Sequence, residues 1–338
     1  MKLCLRNNVS ATYLSKENTT CLKGLCAIGV LVHHLFQYSG LVQNIYLRVI
    51  LQSLGFLMVA LFFFLSGYGL QVSYKKAPDI YLKNFPKQRI APYYLIIIIL
   101  IAIYSFALLW INSSLDYITV VRSFFFSDTI IANGWYLQIQ LLMYFAFYLI
   151  NRFIKSDKEK SIAWLLFLLL YVLLSIAFDA GITRYVSVFA FFIGIKWADY
   201  KRIVDNHLNH KRRGFLIYVS VFVSFVVSYM IWWLTDGYIS ICVQMICEVF
   251  FTVFVIICLR FIPINCFVTR FLGRISLGIY VIQGVFLKVF RCDHIYIENG
   301  WLYVVLVCTG TFIGGVVLTP LFEKIYSLFK NRKISCDI

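Results

Sequence analysis

Two adjacent histidines, His33 and His34, close an otherwise apolar run that opens at Leu22 and carries one cation, Lys23. A neutral imidazole accepts a proton from a hydroxyl and returns one to a leaving group near neutral pH, the task of a general base. On a helix, Lys23 and His34 lie ~16 Å apart along the axis and ~20° apart around it, so they share one face, while His33 points elsewhere. The competing account is a pair of structural histidines, hydrogen-bonded to a neighbouring carbonyl or to Gln37. In a membrane span an ionisable side chain costs up to ~3 kcal/mol to insert, which favours function for the aligned His34 and leaves His33 structural.

A second group follows Phe63-Phe64-Leu65-Ser66-Gly67-Tyr68: Lys75, Lys76, Lys83, Lys87 and Arg89, just before Pro92 and another apolar run. Lys75 and Lys76 read as topology signals. Arg89 abuts the start of the run, where a fixed cation suits a phosphorylated cofactor arriving from the cytosol or, on composition alone, a lipid headgroup. Glu248 stands in the middle of a further apolar stretch, where an acid must be neutral, paired or facing water. It either orients His34 or pairs with Arg274, and a purely structural ion pair is the rival account.

The elements that position these groups follow from composition. Of 338 residues, 62% are hydrophobic and only 14% charged, against roughly a quarter charged in a soluble domain. That excludes a water-soluble globule, and the abundance of Leu, Ile, Val and Phe excludes disorder. The expected fold is all-α, a polytopic integral membrane protein of about ten transmembrane helices, near 22–38, 50–72, 90–112, 133–151, 161–178, 184–198, 214–234, 238–260, 271–289 and 301–323. The runs lack the strict alternation of a membrane β-barrel, so strands are not expected. The sixth span is short, between Arg184 and Lys196. Including it leaves Arg48, Arg122, Arg184, Lys288 and Arg291 outside and the other 26 of the 31 Lys and Arg inside, with both termini cytoplasmic. The net charge of +16 is then a topological stripe and no sign of nucleic acid. The first apolar run, about twenty residues in, reads as a signal anchor without a cleavage site. Ten cysteines, mostly inner or intramembrane, with Cys292 the clearest outer exception and no CxxC, give no expectation of disulfides, zinc or other metal. Residues 1–338 read as a single domain.

Several motifs in order resemble the acyltransferase 3 family of membrane O-acyltransferases. They are Lys23-Gly24 with His34 eleven residues after the lysine, Phe-Leu-Ser-Gly-Tyr at 64–68, Arg-Ile-x-Pro-x-Tyr at 89–94, Asn-Gly-Trp-Tyr-Leu at 133–137 and Gly-Arg-Ile-Ser-Leu-Gly-Ile-Tyr at 273–280. The resemblance covers nearly the whole chain. It implies a cytoplasmic acyl-CoA donor, usually acetyl-CoA, and a carbohydrate acceptor such as exopolysaccharide or capsule at the cell membrane. It also implies His34 as the catalytic histidine, either as base or as carrier of the acyl group, with Lys23 as its basic companion. The paired inner-loop arginines of the family are half matched: Arg89 fits the second and Pro86 occupies the place of the first, leaving Lys83 or Lys87 to help hold the donor. Gln283 stands where the late motif commonly ends in histidine. Trp135 and Tyr136 suit stacking on a sugar, or equally an aromatic belt at the interface. The rival class is a proton-coupled transporter or flippase relaying protons through Glu248 and the histidines, but matched Gly/Pro-broken helices, its usual signature, are absent.

Overall fold

Long apolar runs in a bilayer must satisfy every backbone N–H and C=O internally, and the helix does so within one segment. The computed structural model, which describes residues 13–111, 116–125 and 129–330, accordingly consists of helices with one small hairpin. In chain order these are α1 (Lys16–Ser39), α2 (Ile45–Lys76), α3 (Pro78–Phe85), a π turn (Pro86–Ile90), α4 (Ala91–Trp110), α5 (Tyr117–Ser123) and α6 (Trp135–Phe153). Then follow α7 (Asp157–Ala177), α8 (Phe189–Asn209), α9 (Lys211–Leu234), α10 (Gly237–Cys258), α11 (Phe267–Val289), the strands β1 (Arg291–Cys292) and β2 (Ile295–Tyr296), and α12 (Gly300–Phe329). The hairpin departs from the helix-only expectation. It is two residues per strand, antiparallel, and Arg291 holds it by donating to the Ile297 carbonyl at 2.6 Å and stacking on the Tyr303 ring at 4.4 Å.

Among the described residues, eight helical stretches are long and apolar enough to cross a membrane: α1, α2, the continuous α3–π–α4 stretch Pro78–Trp110, α7, α9, α10, α11 and α12. The other two expected spans are helices of different character. α6 carries Gln138, Gln140 and Asn151, all buried, and Arg152. α8 begins at Phe189 rather than 184, after a short 3-10 turn at Ile182–Arg184, and runs on to Asn209. Its second half is charged and anchored: Asp199 accepts from Gln71 at 2.7 Å and pairs with Lys75 and Lys196. The two chain ends, expected on the cytoplasmic side, lie outside the described residues.

The chain forms two compact units, one of residues 1–76 and 164–276, the other of residues 77–163 and 277–338. In the first, glycines let backbones touch, as is common where lipid offers no hydrophobic drive for helix association. A Cβ on Gly67 of α2 would overlap the Phe191 carbonyl of α8, and one on Gly194 would overlap the Phe64 carbonyl. Gly24 of α1 meets Gly273 of α11 the same way, its Cβ position lying 2.5 Å from the Gly273 nitrogen. In the second unit α11 approaches α12 through Gly278 and Gly315, and Tyr104 of α4 donates to the Val281 carbonyl at 2.8 Å.

Candidate functional site

The helix that carries the histidines is well bounded. Ser15 caps α1 by accepting from the Asn18 N–H at 3.2 Å, and Gly40, at φ +70°, ends it in the left-handed conformation that only glycine adopts readily. Between these caps Lys23 and His34 lie on one unbroken helix, Lys23 half-buried and His34 9% exposed.

The two imidazoles have separate tasks. His33 donates from Nδ1 to the Leu51 carbonyl of α2 at 3.0 Å, and its ring fills the notch at Gly55, where a Cβ would lie 2.7 Å from Nε2. That is a packing role. His34 places Nδ1 3.1 Å from Gln37 Oε1. The amide oxygen only accepts, so Nδ1 carries the hydrogen and the lone pair is left on Nε2, the arrangement a base requires. Among the described residues no group hydrogen-bonds that Nε2. The rings are 4.9 Å apart and inclined by 63°, so His33 forms one wall beside His34.

Glu248, 1% exposed on α10, accepts from Gln244 at 3.2 Å, and the Ser187 side chain also acts on it. Neither His34 nor Arg274 is among its partners, and it forms no ion pair among the described residues. Both roles expected of it, orienting His34 and pairing with Arg274, are therefore replaced by hydrogen bonding within its own surroundings.

In the second unit, Arg89 lies in the π turn. Pro86 and Pro92 each lack a backbone N–H, and a helix containing both relieves the clash by inserting one residue, seen as the bond from the Ala91 N–H to the Pro86 carbonyl. The turn leaves Lys83 and Lys87 exposed and Arg89 half-buried over the Tyr81 ring, 5.9 Å from its centre, with Tyr144 and Tyr326 also acting on the guanidinium. Among the described residues Arg89 has no carboxylate partner, so a guanidinium fork beside tyrosine hydroxyls suits a phosphate.

Trp135 is half-buried and Tyr136 only 7% exposed. Tyr136 donates to Gln140 at 3.1 Å and packs edge-on against Tyr280 at 5.3 Å, while Tyr280 donates to the Asn133 carbonyl at 2.9 Å. Asn133 itself has φ +57°. The Asn-Gly-Trp-Tyr and Gly-Ile-Tyr motifs thus meet each other, and Tyr136 is an interior side chain rather than an interface anchor.

Sequence reasoning missed a buried network in the first unit. Asp205 of α8 receives Arg260 Nη1 at 2.5 Å, Lys201 at 2.6 Å and the Tyr13 hydroxyl at 3.0 Å, while Trp197 donates to the same hydroxyl at 3.0 Å. Arg260 is 4% exposed and Tyr13 fully buried, and burial pushes the Tyr13 phenol up. Its members run from Tyr13 to Arg260, and apart from the i, i+4 pair Lys201–Asp205 no local spacing announces it. The His34–Gln37 pair, three residues apart on a helix, is among the few such contacts that local spacing makes legible. Among the described residues no group of three or more His, Cys, Asp or Glu is placed to hold a metal ion.

A chain whose described residues form eight helices of membrane-spanning length and apolarity is a multi-pass membrane protein. A family model described as an acyltransferase domain matches residues 18–320. The chain belongs to the acyltransferase 3 family and is a membrane acyltransferase. No curated protein and no solved structure matches it.

Proposed function

We propose that this protein is an O-acyltransferase of the cell membrane that moves an acyl group, acetyl in the simplest case, from cytoplasmic acyl-CoA to a hydroxyl of a cell-surface carbohydrate such as exopolysaccharide or capsule. The family match supports the reaction class, and the observation that carries the residue assignment is the Gln37-oriented His34 with its Nε2 lone pair unengaged. In this reading Nε2 takes the proton of the acceptor hydroxyl, the oxygen bonds to the thioester carbonyl carbon, the carbon–sulfur bond breaks, and the imidazolium returns the proton to the departing CoA sulfur. Lys23, on the same face of α1, supplies positive charge to the donor. Arg89, with Lys83 and Lys87, holds its phosphates, a role supported by the absence of a competing carboxylate at Arg89. Trp135 and Tyr136 belong to the acceptor side, where Tyr136 acts by fixing Trp135 rather than by touching sugar. Glu248 keeps only an indirect part, holding α10 through Gln244.

Ten spans with both termini cytoplasmic remain the topology of this proposal, with α6 and α8 as polar spans shielded by neighbours. Residues 1–338 are taken as one domain, since the family match runs through both compact units. Labelled acetyl-CoA supplied to inverted membrane vesicles tests the proposal. Label is expected in carbohydrate, dependent on the protein. Solute movement without acetyl incorporation would instead identify a transporter.

A further inference from the structure

Polar side chains buried in a membrane protein hydrogen-bond to their surroundings or mark a path for something polar. In the second unit Tyr93 of α4 is 5% exposed, Gln140 of α6 1% and Gln283 of α11 fully buried. Among the described residues the Tyr93 hydroxyl, Gln140 Nε2 and Gln283 Oε1 have no hydrogen-bond partner. The other end of each amide is committed: Gln140 Oε1 accepts from Tyr136 at 3.1 Å, and Gln283 Nε2 donates to the Tyr280 carbonyl at 3.0 Å. What is left unmet is a donor, an acceptor and a hydroxyl that serves as either.

These atoms lie in one row with Arg89. Tyr144 and Tyr326 act on the Arg89 guanidinium and on Tyr93 alike, and the Tyr93 and Tyr144 rings are 5.4 Å apart. Tyr136 and Tyr280, the neighbours of Gln140 and Gln283, also act on Tyr93. On α6 the row runs from Tyr144 to Tyr136, about two turns and ~12 Å of helix axis. Arg89 supplies the cation at one end, and from there on the groups are uncharged hydroxyls and amides. Such an order suits an extended, neutral, hydrogen-bonding chain that carries its phosphate at one end.

We infer that Tyr93, Gln140 and Gln283 seat the pantetheine arm of the donor, whose hydroxyl and amides supply the partners these side chains lack. This rests on the reading of Arg89 as the phosphate site of acyl-CoA. It adds the residues that tell a pantetheine-bearing donor from any other phosphate compound.

Binding can be read without turnover. Isothermal titration of the purified protein compares CoA with adenosine 3′-phosphate 5′-diphosphate, the same nucleotide without the arm. Tyr93→Phe, which deletes one hydroxyl, and Gln140→Met, which deletes the amide, should each weaken CoA binding roughly five- to tenfold and leave nucleotide binding unchanged. Tyr104→Phe, which removes a buried hydroxyl already given to the Val281 carbonyl, should change neither. Arg89→Gln should weaken both ligands. Equal loss of the two ligands in Tyr93→Phe overturns the inference, as does a parent protein that binds CoA no more tightly than the nucleotide. Loss of both ligands in Arg89→Gln with CoA binding intact in Tyr93→Phe and Gln140→Met sinks the arm assignment and keeps the donor reading. A parent protein that binds neither ligand sinks the donor reading, and the arm assignment with it.

Discussion

Removing the Asp205 carboxylate leaves two cations facing the fully buried Tyr13 ring without their counter-ion: Lys201 4.6 Å and Arg260 5.3 Å from its centre. Arg260 is the costly one, because it is 4% exposed and the Asn209 amide oxygen that also accepts from it carries no counter-charge. Breaking a buried pair by deleting one partner destabilises by about 3–5 kcal/mol. Lys201 is roughly a quarter exposed and reaches water, so its share is small and the lower end, about 3 kcal/mol, applies. At ~2–4 °C per kcal/mol for large domains, Asp205→Ala should lower the unfolding temperature of the detergent-solubilised protein by roughly 6–12 °C. Scanning fluorimetry or size-exclusion after heating reads it. Asp205→Ala combined with Arg260→Met removes both charges and should recover most of the loss, since the penalty lies in the orphaned cation and not in the missing bond. A single variant that melts within about 1 °C of the parent, or a double variant no better than the single, refutes this reasoning.

Gly67→Val drives a side chain into the Phe191 carbonyl and should abolish folded, monodisperse protein, whereas Gly69→Ala, two residues along the same helix in open space, should stabilise by up to ~1 kcal/mol. Expression and chromatographic profile distinguish them. Gln37→Leu leaves the His34 Nδ1 donor without its acceptor, so kcat should fall roughly 10–100-fold at unchanged KM for acetyl-CoA, with Gln37→Glu, which keeps an acceptor oxygen, much less affected. Arg89→Gln should raise the KM for acetyl-CoA roughly tenfold or more, with Arg89→Lys partly restoring it. A normal KM in Arg89→Gln removes the residue from the donor site.

Composition and run length sufficed for the class of fold, because ~20 apolar residues have few alternatives to a membrane helix. They failed where helices are kept by protein rather than by lipid. α8 extends to Asn209 because Asp199 and Asp205 find cations supplied by α2, by α8 itself and by Arg260 beyond α10, and no window of sequence contains those partners. Several motif residues have packing tasks that their spacing does not announce. Gly24, Gly67 and Gly273 serve close backbone packing, and Tyr136 and Tyr280 hold each other. His33 and His34, indistinguishable by type, separated only when Leu51 and Gly55 of the next helix were brought against one of them. Glu248 was legible as an anomaly but not as a partner of Gln244 in preference to Arg274, since only i, i+4 spacing on α10 favours the pair that forms.

The central claim is that His34 performs proton transfer in acyl transfer, and its most direct test is the acetyl-transfer rate of purified, reconstituted His34→Ala beside His33→Ala. The account predicts a fall of roughly 100-fold or more for His34→Ala with the fold intact by chromatography, in line with the removal of a general base, and a milder loss through packing for His33→Ala. A well-folded His34→Ala protein that transfers acetyl groups within a few fold of the parent rate would contradict it and place the base elsewhere.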